Sequence, residues 1–383
     1  MINKKKKITF WSPHISQVAT VKAVYNSAKS LKKFSNLEFE PEIIDSFGEW
    51  EQIENNSLGI KIHKLHSINF IKKISSKGFI FSRIKYILIF IFSFIPLTLY
   101  LKNKRPSYFI IHLITSLPLF LNYLFNFKSK IILRISGKPK LNILRYMFWK
   151  IVLKKVYKIT FPTKETYEYF KSLQITDNSK LFLLYDPVLN INEINFSKKG
   201  IIQNQINFDN FYLCIGRLTK QKNFLFIINF FKDLISAKKN LKLLIMGEGE
   251  DYKKLKLLIE KYELQKNIFL IGYKKNVNFY LKKAKGFILS SLWEDPGFVL
   301  IEAMYANTPI ISSDCPSGPK ELIGFQNGIL FKSNSKTDFL KKFKYFEDLD
   351  KKKIYQMKLN AKKKVRQFTL FYHYKNLRKF ILI

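Results

Sequence analysis

The stretch Gly286-Phe287-Ile288-Leu289-Ser290-Ser291-Leu292-Trp293-Glu294-Asp295-Pro296-Gly297-Phe298-Val299-Leu300-Ile301-Glu302-Ala303-Met304 decides how this chain folds. Residues 286–289 are an apolar run too short for a typical helix and suited to a buried strand. Pro296 is tolerated at a helix start but not inside one. A helix therefore begins near Gly297 and runs to about Ala306, with Asn307 as its cap. Glu294 is left on the loop outside this helix and Glu302 within it. The amides of Phe298, Val299 and Leu300 are expected as unpaired first-turn donors. A helix N-terminus of that kind attracts anions. A plainer account is also open: a carboxylate favoured near a helix start by the dipole, and a solvent-facing Glu302. Against it, Glu302 is flanked by Val299, Leu300, Ile301, Ala303 and Met304, and a carboxylate beside a buried face needs a partner.

The same strand, turn and helix recur outward in both directions. Candidate strands are residues 8–11, 108–114, 130–135, 158–161 and 181–184, then 211–215, 241–246, 268–271, 286–289 and 309–312. Helix-like periodicity covers residues 18–34 and 144–156. Such alternation predicts two α/β domains with parallel sheets. The length of 383 residues agrees, since one core serves roughly 150–200 residues. A polar stretch without sustained period, residues 187–209, is the expected linker. The expected organisation is a first domain over residues 1–190, a second over 208–360, and a C-terminal helix over 361–383.

Hydrophobic residues make up 47% of the chain, enough for two cores, which excludes a disordered protein. The two cysteines, Cys214 and Cys315, have neither metal-ligand spacing nor a disulfide framework, so a reducing, cytoplasmic setting is expected. Residues 8–11 are too short an apolar run for a secretory signal. The formal net charge is +39, and only seven of the 67 basic residues are Arg. With so much Asn, Ile, Phe and Tyr, part of that charge is what AT-rich codons would give. Its physical consequence stands regardless: the surface attracts anionic lipid or nucleic acid. Nucleic-acid readers favour Arg, and neither zinc-finger spacing nor an aromatic RNA-binding signature occurs. An anionic membrane surface is therefore the expected partner, and nucleic acid is not. Residues 86–101, YILIFIFSFIPLTLYL, fall short of the ~20 residues a span needs and are interrupted by Pro96. They read as a buried helix or as one dipping its apolar side into a membrane interface.

Three further segments accompany the opening stretch. Gly216-Arg217-Leu218-Thr219-Lys220-Gln221-Lys222-Asn223 follows a strand, and ligands of open α/β sheets bind beyond strand carboxyl ends. Arg217 and Lys222 would suit a diphosphate there, or form an ordinary basic loop. Met246-Gly247-Glu248-Gly249-Glu250 is a tight strand-to-helix turn. Ser313-Asp314-Cys315-Pro316-Ser317-Gly318-Pro319-Lys320-Glu321-Leu322 is a loop entering another helix. Asp348-Leu349-Asp350 has the form of a metal-binding pair but lies in a charged helix-like stretch, and reads as a solvated face.

In their order along the chain the four segments resemble the retaining glycosyltransferases of family 4, whose fold is GT-B; Glu294 and Glu302, with seven residues between them, match that family's signature spacing. The resemblance is specific over about residues 208–330. It is looser in the first half, where Ile110-Ile111-His112 and Arg134-Ile135-Ser136-Gly137 resemble the acceptor domain. It implies two facing Rossmann-like domains with parallel sheets, a site in the cleft, and a C-terminal helix crossing back to the first domain. It implies Gly216, Arg217 and Lys222 at the donor diphosphate, Glu294 on the donor sugar, Glu302 on the ribose, and the amides after Gly297 at the phosphates. Tyr273 would lie near the nucleobase. His14, Ser16, Ser136 and His112 are the acceptor-side candidates. The implied reaction is metal-independent transfer of a hexose or N-acetylhexosamine, with retention, from a UDP-sugar rather than a GDP-sugar, without cofactor. The acceptor would be a glycan, lipid-linked, at the inner membrane face, in surface polysaccharide or lipopolysaccharide synthesis. Two departures stand out. The glycine loop of many members is replaced by His14-Ile15-Ser16-Gln17, and a strand-end His by Ser136. They leave open a non-catalytic nucleotide-sugar-binding scaffold as the alternative.

Overall fold

Ile8 and Phe10 lie on one side of the first strand, Thr9 and Trp11 on the other, and all four are fully buried. A strand covered on both faces belongs to a parallel sheet between helical layers. The computed structural model describes residues 5–15, 19–51, 58–67, 79–139, 141–196, 210–237 and 240–382. The chain divides into two compact units, Met1–Val188 with Leu370–Ile383, and Leu189–Thr369.

The first unit comprises β1 (Lys6–Trp11), α1 (Ala19–Phe34), β2 (Phe39–Asp45), β3 (Lys61–Lys64), α2 (Phe79–Lys104), β4 (Tyr108–Ile111), α3 (Ser116–Phe125), β5 (Lys130–Arg134), α4 (Ile143–Val152), β6 (Lys158–Phe161), α5 (Lys164–Ser172) and β7 (Leu181–Leu183). The second comprises α6 (Ile191–Phe196), β8 (Phe211–Ile215), α7 (Phe224–Ala237), β9 (Lys242–Met246), α8 (Tyr252–Lys261), β10 (Ile268–Gly272), α9 (Val277–Lys283), β11 (Gly286–Leu289), α10 (Phe298–Tyr305), β12 (Ile310–Ser313), α11 (Pro319–Leu322), β13 (Ile329–Phe331), α12 (Lys336–Glu347) and α13 (Lys351–Lys364). The last helix, α14 (Leu370–Leu382), returns to the first unit.

The first sheet runs β3-β2-β1-β4-β5-β6-β7 and the second β10-β9-β8-β11-β12-β13, with parallel pairing throughout both. On one face of the first sheet, Ile8 and Phe10 pack with Val24 and Leu31 of α1 and with Leu377, Phe380 and Ile381 of α14. Burial of each such side chain contributes ~1.5–3 kcal/mol, which explains why the final helix joins this unit. Its terminal carbonyls are also satisfied there: Lys158 Nζ donates to Phe380 O at 2.6 Å and Tyr108 Oη to Ile381 O at 3.0 Å. His373 donates from Nδ1 to Tyr185 O at 2.7 Å and accepts from Ser27 Oγ at 2.8 Å; burial lowers its pKa to about 4. The opposite face packs Trp11, Phe109 and Leu133 against α2, α3 and α4.

Residues 86–101 correct one expectation. They belong to a single 26-residue helix that continues through Pro96. A proline inside a helix frees the carbonyl four residues earlier. Here that carbonyl is Phe92 O, and His66 Nε2 donates to it at 3.1 Å. Asp348 and Asp350 are exposed, as a solvated face requires, but they lie between helices and not within one: α12 ends at Glu347, and Asp350 caps α13 by accepting from Lys353 N at 2.7 Å. β2, β3 and β13 escaped the sequence pattern. β2 carries Pro41 and three carboxylates, β3 is a polar edge, and β13 is three residues long.

Candidate functional site

In the second sheet the chain moves outward from β8 through β9 to β10, then returns beside β8 with β11 and proceeds to β13. The order reverses between β8 and β11, and crevices at such reversals are where open α/β sheets bind ligands. The loop after β8 carries Gly216, Arg217 and Lys222, and the loop after β11 carries Glu294. The fold brings the last two together. Lys222 Nζ lies 2.5 Å from Glu294 Oε1, and Ser291 Oγ donates to the same oxygen at 2.5 Å. Glu294 is only 6% exposed, so it needs these partners. The two loops are stitched by three further bonds: Ser290 Oγ to Lys222 O at 2.7 Å, Leu292 N to Gln221 O at 2.8 Å, and Gln221 Nε2 to Trp293 O at 2.9 Å. Ser290 and Ser291 were not singled out in the sequence, though they open the loop that carries Glu294.

Arg217 is exposed on the same loop as Lys222, and among the described residues no carboxylate pairs with it. Gly216 makes room for its neighbour: a Cβ there would come within 2.9 Å of Lys222 Cε. The Gly-Glu-Gly turn after β9 braces the Arg217 loop from behind. Gly216 N donates to Met246 O at 3.0 Å, Leu218 N to Glu248 O at 2.8 Å, and Asp251 N to Leu218 O at 2.9 Å. The loop after β12 braces Glu294 in the same way, through Glu294 N to Pro316 O at 3.0 Å and Ser313 Oγ to Ser291 O at 2.7 Å. The second and fourth segments thus support the first and third. Burial pushes the Cys315 thiol up to about 12 and raises that of Cys214 further, so neither is a nucleophile.

α10 starts where expected, after Gly297, which caps it in the left-handed region at φ 92°. One detail differs: the amide of Leu300 donates to Gly297 O at 3.0 Å, which leaves those of Phe298 and Val299 as the first-turn donors. Glu302 follows one turn later on α10 and is half-buried. Tyr273 stands 66% exposed at the carboxyl end of β10.

The first sheet reverses between β1 and β4, and His14 and His112 follow those two strands. His14 is buried, lies edge-on to Trp50 at 4.9 Å, and is held neutral by burial, with Nδ1 3.2 Å from Ser12 O. His112 donates its backbone N–H to Trp11 O at 2.9 Å. Both its ring nitrogens are shielded although part of the residue reaches solvent, and burial, then Arg134, keeps its pKa well below the usual value. Ser136 is exposed on the loop after β5. Ser16 lies outside the described residues. Arg134 is turned inward to Asp186 at 2.5 Å and to Leu184 O at 2.6 Å, a structural pairing that the sequence did not signal.

Comparison with known proteins bears on the second unit above all. Residues 198–364 match the family model described as glycosyl transferases group 1. An uncharacterized glycosyltransferase of Methanocaldococcus jannaschii is 45% identical over 112 residues, which are 29% of this chain and 28% of that protein. The N-acetylgalactosamine-N,N'-diacetylbacillosaminyl-diphospho-undecaprenol 4-alpha-N-acetylgalactosaminyltransferase of Campylobacter jejuni is 28% identical over 257 residues, 63% of this chain and 67% of that one. The chain thus spans little more than a quarter of the first relative and two thirds of the second. A mutant of S. aureus TarM, solved with fondaparinux, alpha-GlcNAc-glycerol and UDP, superposes with a TM-score of 0.71 at 13% identity, covering 98% of this chain and 99% of that one. At that identity the likeness is one of fold. The architecture is that of GT-B proteins: two Rossmann-like α/β domains with parallel sheets.

Proposed function

We propose that the protein is a retaining glycosyltransferase that moves a hexose or N-acetylhexosamine from a nucleotide-sugar to a glycan acceptor. The meeting of Lys222 with Glu294 where the strand order reverses, on loops of which one also carries the exposed Arg217, carries this proposal. When the bond between the anomeric carbon and the diphosphate breaks, negative charge gathers on the leaving diphosphate. Arg217, Lys222 and the amides of Phe298 and Val299 stabilise that charge by preorganised electrostatics. Glu294 accepts hydroxyl hydrogen bonds from the donor sugar, and Glu302 from the ribose. Tyr273 lies beside the base.

These cations supply the charge a metal would otherwise provide, so transfer is expected to be unchanged by a chelator such as EDTA; loss of activity on chelation would reject this part. UDP-sugars are the preferred donors, in keeping with the UDP bound to TarM. The name of the Campylobacter relative supports a lipid-linked acceptor, in the synthesis of surface polysaccharide or lipopolysaccharide. The enzyme would then work in the cytoplasm, peripherally on the anionic inner face of the membrane.

A thermal-shift screen of UDP-, GDP-, ADP- and dTDP-sugars tests the donor assignment. A ligand at 100 times its dissociation constant stabilises by about 2.7 kcal/mol, which raises the midpoint by several degrees. A UDP-sugar is expected to give the largest rise. No rise with any nucleotide-sugar would sink the proposal.

A further inference from the structure

Among its described residues the first unit exposes an apolar surface. On α2, Ile87, Ile91, Ile95 and Leu99 recur at four-residue steps and are 58%, 58%, 67% and 53% exposed. That spacing makes one stripe along the helix. On α4, Leu144, Met147 and Ile151 form a second exposed stripe. α3 touches both helices. An open groove of about 520 Å³ is bordered by Ile87 from α2 and Arg145 from α4.

The charge that these helices themselves carry has one sign. Between Glu54 and Glu165 lie 110 residues with no Asp or Glu and with 21 Lys or Arg. An even spread of the chain's 28 carboxylates would place about eight there. Drift toward AT-rich codons acts on the whole chain and does not explain that gap. α2, α3 and α4 all fall within it, so every charge they carry is positive. Arg83, Lys102 and Lys104 are exposed near the ends of α2, and Arg145 and Lys150 on α4.

An aliphatic stripe edged by cations matches an anionic lipid surface, where acyl chains take the apolar side chains and headgroups the lysines. Nucleic acid would leave the aliphatic stripes in water. A second copy of the same face would set cation against cation.

The inner side of α2 decides how it meets the lipid. By length and composition α2 is long and apolar enough to cross a bilayer. Yet Leu97, Tyr100 and Leu101 sit in the core beneath it. Tyr100 donates to the carboxylate of Glu42, which pairs with Lys7 at 2.6 Å. Drawing α2 across a membrane would expose that core and leave a buried carboxylate without its donor.

We propose that the outer faces of α2 and α4 form an interfacial docking surface that lays the first unit on an anionic leaflet, with α2 in the membrane plane and not across it. This deepens the membrane setting given above and rests on it, but not on the transfer chemistry.

The test is vesicle co-sedimentation of the full chain and of Ile87→Gln/Ile91→Gln/Ile95→Gln, with phosphatidylglycerol-containing and with pure phosphatidylcholine vesicles. The wild-type chain is expected on the anionic vesicles, with weaker binding at high salt, and the triple variant is expected to partition at least about tenfold less. Its thermal midpoint and its donor-induced shift should equal those of wild type, which separates loss of docking from misfolding and from failure of the donor site. Ile91→Trp and Leu99→Trp should be quenched alike by lipids brominated near the headgroup, and alkaline carbonate should release the protein from cell membranes. Equal binding of variant and wild type, equal binding to both vesicle types, or displacement by an RNA duplex with no effect of the triple substitution would overturn the docking surface. Retention after carbonate would overturn the in-plane orientation in favour of a span.

Discussion

Glu294→Ala is expected to lower the rate of transfer by about 10³-fold or more and to cost the second unit about 3 kcal/mol. The two losses have different origins. The first is removal of the group proposed to hold the donor sugar, together with release of Lys222 from its place at the diphosphate. The second is a buried charge left alone. The Lys222 and Glu294 side chains are only 13% and 5% exposed, so neither recovers full hydration when its partner is removed. The lower end of the range for broken buried pairs applies because Lys222 retains some access to water. Lys222→Ala should cost a similar amount. The double variant should be less destabilised than the sum of the two, because no lone charge remains, while activity stays lost. Urea unfolding of the four proteins of this cycle, with initial rates of donor consumption, provides the check. Arg217 is exposed and outside the pair, so Arg217→Ala should lose activity with almost no change in stability. If Glu294→Ala and Arg217→Ala both transferred sugar at the wild-type rate, the site would be wrongly placed.

Gly247→Ala should destabilise the second unit by more than about 3 kcal/mol and disable the donor loop with it. Gly247 has φ +140°, where side chains are strained, and an added Cβ would stand 1.9 Å from the carbonyl oxygen of Gly216. The clash is with backbone, so no rotamer change can relieve it. The loop that must give way is the one bearing Arg217 and Lys222. Gly318→Ala should act likewise on the other side of the site, since its Cβ would meet Pro296 O at 2.1 Å. Two glycines supply the contrast. Gly272 has φ +67° with open space around it, so Gly272→Ala should cost only ~1–2 kcal/mol. Gly324 has open space and needs no left-handed backbone, so Gly324→Ala should be close to neutral. A Gly247→Ala protein with wild-type unfolding would refute the proposed bracing.

These two predictions show what was legible in the linear chain. The Gly-Glu-Gly segment can be seen as a turn, because glycines after an apolar run break helix and strand alike. That its glycine exists to let another loop's backbone pass within contact distance cannot be seen, because the partner, Gly216, lies 31 residues away in sequence. The same holds for Pro96. Its helix-breaking chemistry is local, but the carbonyl it frees is satisfied by His66 from outside the helix. His14 and His112 were candidates by chemistry. Their burial, which holds both rings neutral, depends on what packs over them.

By itself the sequence determined the alternation of apolar strand and polar turn, the helix start after Pro296, and the set of residues able to bind a diphosphate and a sugar. Those follow from local sterics and hydrogen-bonding capacity, which neighbours in the chain settle. Only the tertiary structure decided that Lys222 and Glu294 face each other, because strand order, not sequence distance, sets which loops share a crevice. It also decided which side of α2 is core and which is open to lipid. A helix hydrophobic on nearly every side carries no mark of its buried face until a carboxylate such as Glu42 holds Tyr100 against the sheet.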